Sequence, residues 1–236
     1  MIKEFKIKIA GRIVQIKALY TQVCELCTDY ICDTDESADI CIKSSEKAIE
    51  YERKNNDSTD ATDGYLETLS IYRAIAERML AYSTILMHGA AVAYNGAAYM
   101  FSSKSGIGKT TRTDQFIKQI DGSFVVNGDK PLIRITDEGI YVCGTPWCGK
   151  ENQNTNTIVP LRSIIILERS DKSYIREMSY KEAFIPILAQ MYKPSSQELM
   201  VLSLTLLKKL ENNVKFYKYG INLEDMNMKR LYEAVK

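Results

Sequence analysis

Ser103-Lys104-Ser105-Gly106-Ile107-Gly108-Lys109-Thr110 stands between an apolar, strand-like run at residues 97–101 and a helix-like run at residues 111–120. That is the setting of a phosphate-binding loop. The pattern G-x-x-x-x-G-K-[ST] needs glycines so that successive backbone N–H groups turn inward on a phosphate, a lysine for the outer phosphates and a hydroxyl for magnesium. Gly108, Lys109 and Thr110 match it, Gly106 adds backbone freedom, and Ser103 occupies the place of the first glycine. An ordinary Gly/Ser-rich turn with an exposed lysine is the alternative. On the phosphate reading, Mg-ATP binds at Lys104, Ser105, Gly106, Ile107, Gly108, Lys109, Thr110 and Thr111, the one anion nest readable in the chain.

Working outward, residues 85–101 read as two antiparallel strands joined at Asn95-Gly96, a pair that supplies the two φ > 0 residues of a tight hairpin turn. Beyond the loop helix, strands are predicted at 123–126, 132–135 and 140–142, and Ser163-Ile164-Ile165-Ile166-Leu167 carries the strongest buried-strand signal. Helices at 180–191 and 195–212, a strand at 214–219 and a helix from 224 complete this half. Before the hairpin lie two strands (5–9 and 12–17), a helix at 21–31, a strand at 38–43, a helix at 45–54 and a long amphipathic helix over 66–80. The polar, turn-rich stretch 55–64 marks a boundary between a small α/β lobe, residues 1–63, and a second domain, residues 64–236.

Composition narrows the class. The 236 residues are 45% hydrophobic and 26% charged, those of an ordinary globular protein with one good-sized core plus a smaller lobe. A net charge of +1 gives no electrostatic case for nucleic acid or an anionic membrane as partner. The N-terminus alternates charged and apolar residues instead of forming a signal peptide, and His88 and Asn95-Gly96 interrupt the longest apolar run. A cytoplasmic location, with no membrane span, follows by default. Six cysteines are too sparse for a disulfide scaffold. Cys24, Cys27, Cys32 and Cys41 admit a zinc site, but helix and strand periodicity favours buried small hydrophobes.

Four clusters between residues 87 and 162 carry possible chemistry. Met87-His88-Gly89-Ala90 holds the only histidine, a structural hydrogen-bonder or a catalyst. Val125-Val126-Asn127-Gly128-Asp129-Lys130-Pro131 ends an apolar strand in an acid, where a carboxylate holds magnesium or takes a hydroxyl proton, unless it only makes a turn. Gly144-Thr145-Pro146-Trp147-Cys148-Gly149-Lys150 suits a substrate or phosphate clamp, or equally a packed loop with a solvated lysine. Val159-Pro160-Leu161-Arg162 brings an arginine that suits a phosphate or carboxylate, or a surface pair.

Together these segments resemble the catalytic domain of the HPr serine kinase/phosphorylase family, including the small HPr-kinase-like kinases found with peptide-modifying systems and, more distantly, ATP-dependent phosphoenolpyruvate carboxykinase. The resemblance covers residues 85–169. It implies an α/β (α+β) fold in which an HPr-kinase/phosphoenolpyruvate-carboxykinase-like P-loop domain with a mixed sheet follows the small α/β lobe. It further implies that residues 104–110 wrap the ATP phosphates, with Lys109 on the outer phosphates and Thr110 on magnesium. His88 would sit beside the transferring group, and Asp129 would be the first acid of an Asp-Asp pair and the base toward a hydroxyl. Lys130 replaces the second acid in that register; in the other, Gly128 replaces the first. The glycine-rich segment that follows the acidic pair in HPr kinases is not recognisable, which argues against HPr as substrate.

The resulting expectation is a Mg-ATP-dependent kinase for a hydroxyl of a peptide, protein or small metabolite. Asp129, His88 and Lys109 are its catalytic residues, Thr110 and Asp129 its metal ligands, and Trp147, Lys150 and Arg162 its acceptor-binding residues. The N-terminal lobe would bind the acceptor or a partner protein, or build a homo-oligomer interface. The rival is a nucleotide-binding regulatory or scaffold protein of the same fold with reduced turnover, which Lys130 favours. A carboxykinase acting on a keto acid is a third, disfavoured by the chain's size.

Overall fold

Strand β1 (Lys3–Ile9) turns Ile7 and Ile9 inward and its lysines outward, the alternation of a half-buried strand. A turn at Ala10-Gly11 leads into antiparallel β2 (Arg12–Ala18), and β3 (Ile40–Lys43) adds parallel to β2, making a three-stranded sheet. The computed structural model describes residues 3–55, 60–222 and 227–236. Part of the boundary stretch 55–64 and the expected start of the last helix near 224 therefore lie outside the described residues.

The helix expected over 21–31 is shorter. It consists of α1 (Gln22–Leu26) and a single 3-10 turn, Thr28–Tyr30, which carries the Tyr30 hydroxyl to Asn154 Oδ1 at 2.7 Å. Helix α2 (Glu46–Lys54) starts at Ser45, whose hydroxyl accepts from the Ala48 N–H, and α3 (Asp63–Met79) starts at Thr62, which does the same for Tyr65. Ile71, Ile75 and Met79 of α3 share one apolar core with Ile7, Val14, Ile16 and Ile42, and also with Leu86, Leu132 and Trp147 further along the chain. Helix α3 thus joins the first sheet to the rest.

Cys41 corrects the expectation of buried thiols. In β3 it alternates with the inward-facing Ile40 and Ile42 and is exposed, whereas Cys24 and Cys32 are half-buried. Cys27 is buried, and burial pushes its thiol up to about 12. Among the described residues no group of three or more His, Cys, Asp or Glu side chains is placed to hold a metal.

Among the described residues the second sheet has nine strands: β4 (Thr84–Leu86), β5 (Ala90–Tyr94), β6 (Ala97–Ser102), β7 (Phe124–Asn127), β8 (Leu132–Ile135), β9 (Ile140–Cys143), β10 (Ile158–Arg169), β11 (Tyr174–Met178) and β12 (Lys215–Ile221). The first arm of the expected hairpin is split. Its start is β4, paired with β8, and its remainder is β5, paired with β6 across the Asn95-Gly96 turn, where φ is +51° and +75°. His88 lies in the break.

Strand β10 is the spine. Its first residues pair antiparallel with β9; after an irregularity between Leu161 and Ser163 it runs parallel to β6 on one side and β12 on the other. Ile165 and Leu167 face a core shared with Phe116 of α4 (Lys109–Gln119) and Leu231 of α7 (Met228–Val235). Ile164 and Ile166 face the opposite core, with Ala183 and Ile187 of α5 (Tyr180–Gln190) and Leu206 of α6 (Gln197–Lys208). Burial on both faces is why the sequence there is continuously apolar. The fold is mixed α/β, and among the described residues no helix is long and apolar enough to cross a membrane.

Candidate functional site

At the end of β6 the chain turns through Ser103 to Gly108 and enters α4, so residues of the loop and of the helix N-terminus line the same space. Gly106 and Gly108 have φ of +78° and +112°, and a Cβ at either would meet nothing within 4 Å. Packing does not require these glycines; the left-handed backbone does. Lys109 Nζ reaches back to the Ser103 carbonyl at 3.2 Å, spanning its own loop.

Two further segments close on that loop. In the break between β4 and β5, His88 N–H donates to the Gln190 carbonyl (2.8 Å) and Gly89 N–H to the Asp129 carbonyl (2.8 Å). The His88 ring lies between two oxygens, with Nε2 3.1 Å from Asp129 Oδ1 and Nδ1 2.7 Å from Gln190 Oε1. Past β7, the Asn127 side-chain oxygen accepts from the N–H groups of Asp129 (2.9 Å) and Lys130 (2.7 Å), which fixes the acidic turn. Its amide donates to the Thr145 carbonyl at 2.9 Å, bracing the turn against the tryptophan loop. Burial pushes the Asp129 carboxyl up, but the His88 hydrogen bond and the charges of Lys130 and Lys109 outweigh it and hold the carboxyl below its ordinary range. Burial lowers Lys109, with Asp129 opposing.

His88, Lys109, Thr110, Thr111, Gly128, Asp129 and Lys150 line one cavity of about 480 Å³ with Ser105, Gly106 and Gly108 of the loop. Asp129 and Lys150 also line a second, adjoining cavity of about 370 Å³, whose wall includes Trp147 and Lys130. Lys104 and Ile107 face the other side of the loop, toward a mostly apolar pocket beside Pro186 and Gln190 of α5. Trp147 is 6% exposed, stacked on Tyr72 with centroids 4.3 Å apart, and its indole N–H donates to the Thr68 carbonyl. It is a packed wall, and only its cavity edge is available to a ligand.

Arg162 is not brought to this site. It precedes Ser163, which pairs with Tyr99 at the start of β6, whereas the loop leaves the far end of β6 after Ser102. At about 3.3 Å per residue that separates the two levels by roughly 10 Å, and Arg162 instead lines a polar cleft with Glu177 and Glu211. Parallel pairing to β6 is the physical reason: both strands start at the same end of the sheet.

Gln190 was not foreseen, since it lies 102 residues from its partner His88 and nothing local to α5 marks it. Glu151, which lines the loop cavity, was also missed. Asn127 lay inside a quoted cluster, and the Asn-Gly-Asp turn chemistry was the signal that could have identified it as the clamp.

The residues present fit magnesium and ATP in kind. Thr110 and Asp129 face one cavity, and a site with one or two protein oxygens suits magnesium, which usually keeps waters and substrate phosphates as its other ligands. No family model matches the chain. No curated protein matches it either. Among solved structures, the HPr(Ser) kinase/phosphatase from Coxiella burnetii is similar at 12% identity with a TM-score of 0.36, covering 64% of this chain and 87% of that one. A likeness that loose carries no functional weight, so the reading below rests on the site's geometry.

Proposed function

We propose that this chain is a Mg-ATP-dependent phosphotransferase with a hydroxyl acceptor, built on an HPr-kinase-like phosphate-loop domain at residues 64–236. One observation carries the reading: a carboxylate held by a histidine, Asp129 with His88, faces the same cavity as the glycine loop and Lys109. In this reading the loop amides and Lys109 hold the phosphates, and the acceptor oxygen displaces ADP from the outer phosphorus. Asp129, kept ionised by its low pKa, accepts the hydroxyl's hydrogen bond and finally its proton. A carboxylate so well stabilised is a weak base, so it contributes mainly by orienting the hydroxyl until bond formation makes the proton acidic. Magnesium, held by Thr110 and Asp129, would supply charge neutralisation at the phosphate oxygens. His88 and Lys150 add positive or hydrogen-bonding character beside the transferred group.

A second reading, a nucleotide-binding regulatory module with reduced turnover, is favoured by Lys130, whose ammonium lies 3.7 Å from Asp129 Oδ2 where a second acid would stand. Calorimetric titration with Mg-ATP, followed by steady-state ATP consumption over a panel of hydroxyl compounds, separates the two. Lys109→Ala should weaken ATP binding at least about tenfold, the scale of a charge-assisted hydrogen bond. Unchanged affinity in a folded Lys109→Ala protein would remove the core of the proposal.

A further inference from the structure

The second cavity shares its wall with the phosphate cavity at Asp129, Gly149 and Lys150. A hydroxyl at Asp129 on the loop side therefore has room for its carrier on the other. At about 370 Å³ this room is at the small end of the range of about 300–1,000 Å³ typical of small-molecule pockets. Its walls include Leu26 of α1, Leu69 of α3 and the edge of Trp147, and Lys130 and Lys150 line it beside Asp129, the Lys130 ammonium 3.7 Å from Asp129 Oδ2. Two cations beside an apolar chamber select a ligand with an anionic end and an apolar body.

We infer that this cavity is the acceptor pocket and that its ligand is a small hydroxy-carboxylate with an alkyl or aromatic side group. The carboxylate sits at Lys150 and Lys130, the side group lies against Leu26, Leu69 and Trp147, and the hydroxyl points to Asp129. The inference rests on the phosphotransferase reading for the fate of that hydroxyl. In the transfer step the acceptor O–H bond breaks and its proton passes to Asp129, a new O–P bond forms, and the old O–P bond to ADP breaks with its electron pair leaving on ADP. Leu26 and Leu69 then set the fit of the side group together with Trp147, and the glycine loop does not.

Trp147 is the only tryptophan, so its emission reports on this wall alone. Binding can thus be read without turnover by titrating the full chain with 3-phenylserine, with L-serine and with 3-phenylserine amide. The pocket should bind 3-phenylserine at least about tenfold more tightly than serine and than the amide. Leu69→Glu, at a half-buried position, should abolish that preference while leaving ATP affinity within twofold, and Lys150→Ala should reduce the acid-over-amide difference, which Lys150→Ala combined with Lys130→Ala should erase. Equal responses to serine and 3-phenylserine, a preference that survives Leu69→Glu, or binding confined to a peptide whose hydroxy residue is internal would each overturn the inference. If Trp147 reports the expected preferences but no phosphate is transferred, the pocket stands and the phosphotransferase reading falls; transfer with Trp147 silent and equal KM values does the reverse.

Discussion

The glycine loop before α4 and the acidic turn lie against the same cavity but are built on opposite principles. In the loop, Gly106 and Gly108 have open space where a Cβ would stand, and the Lys109 ammonium bonds to the loop's own backbone. In the turn and the tryptophan loop beside it, glycines sit where a side chain would collide. A Cβ on Gly128 would lie 2.9 Å from the Cys148 carbonyl oxygen, and one on Gly144 only 1.8 Å from that of Thr155. Asn127, Thr145 and Tyr72 tie those backbones together, the Tyr72 hydroxyl donating to the Lys130 carbonyl at 2.5 Å. One region leaves space beside its backbone; the other is closely packed, so that one carboxylate has one position.

The largest expected effect tests that difference directly. Gly144→Ala drives a methyl into backbone on two sides, Thr155 and Val126, and should destabilise the fold by about 3 kcal/mol or more. Gly106→Ala pays only for its positive φ and should cost about 1 kcal/mol. Urea unfolding of both variants measures the gap, and equal losses would break the comparison.

Asp129→Asn comes next. The amide keeps the turn's shape but loses the charge and the basic oxygen, so phosphate transfer should slow at least about 10²-fold, with metal-free ATP still binding through the loop and Lys109. Stopped-flow transfer assays beside calorimetry check this; full activity would pass the base role to His88.

The smallest effect sharpens how the turn is held from behind. Helix α5, which ends at Gln190, begins with a capping box in which Ser179 and Glu182 satisfy each other's backbone, and those hydrogen bonds with Arg176 lower the Glu182 carboxyl to about 2. A depressed folded value means that its stabilisation is complete above the unfolded value of about 4.3 and is lost as pH falls toward 2. Melting curves of the parent and Glu182→Gln should therefore differ modestly at pH 6 and converge near pH 2.

What the sequence disclosed follows the same division. The loop was legible because its signal is local: spacing, glycines and the strand and helix on either side all fall between residues 97 and 120. The Ile-rich core of β10 and the Asn95-Gly96 turn were legible for the same reason. The split between β4 and β5 was not, because Ile85, Leu86, Ala90 and Ala91 are equally apolar and nothing in them says that the chain changes partner at His88. Strand β11 went unnoticed because Tyr174-Ile175-Arg176-Glu177-Met178 has only one buried residue, as befits an edge strand. Arg162 was misplaced because order along the chain does not reveal at which end of a strand a residue lies. The braces from Gln190 and Tyr72 come from 102 and 58 residues away, beyond any local pattern.

The pairing of β10 between β6 and β12 also has a consequence in time. Tyr99 and Ser163 are partners 64 residues apart, and at a synthesis rate of about 5–20 residues per second the strand that carries the phosphate loop waits about 3–13 s for its parallel neighbour. Until then the only partner available to Met100 and Phe101 among their final neighbours is hairpin strand β5. An apolar strand left half-paired on a nascent chain is an open edge, prone to wrong pairing until its parallel neighbour has been made.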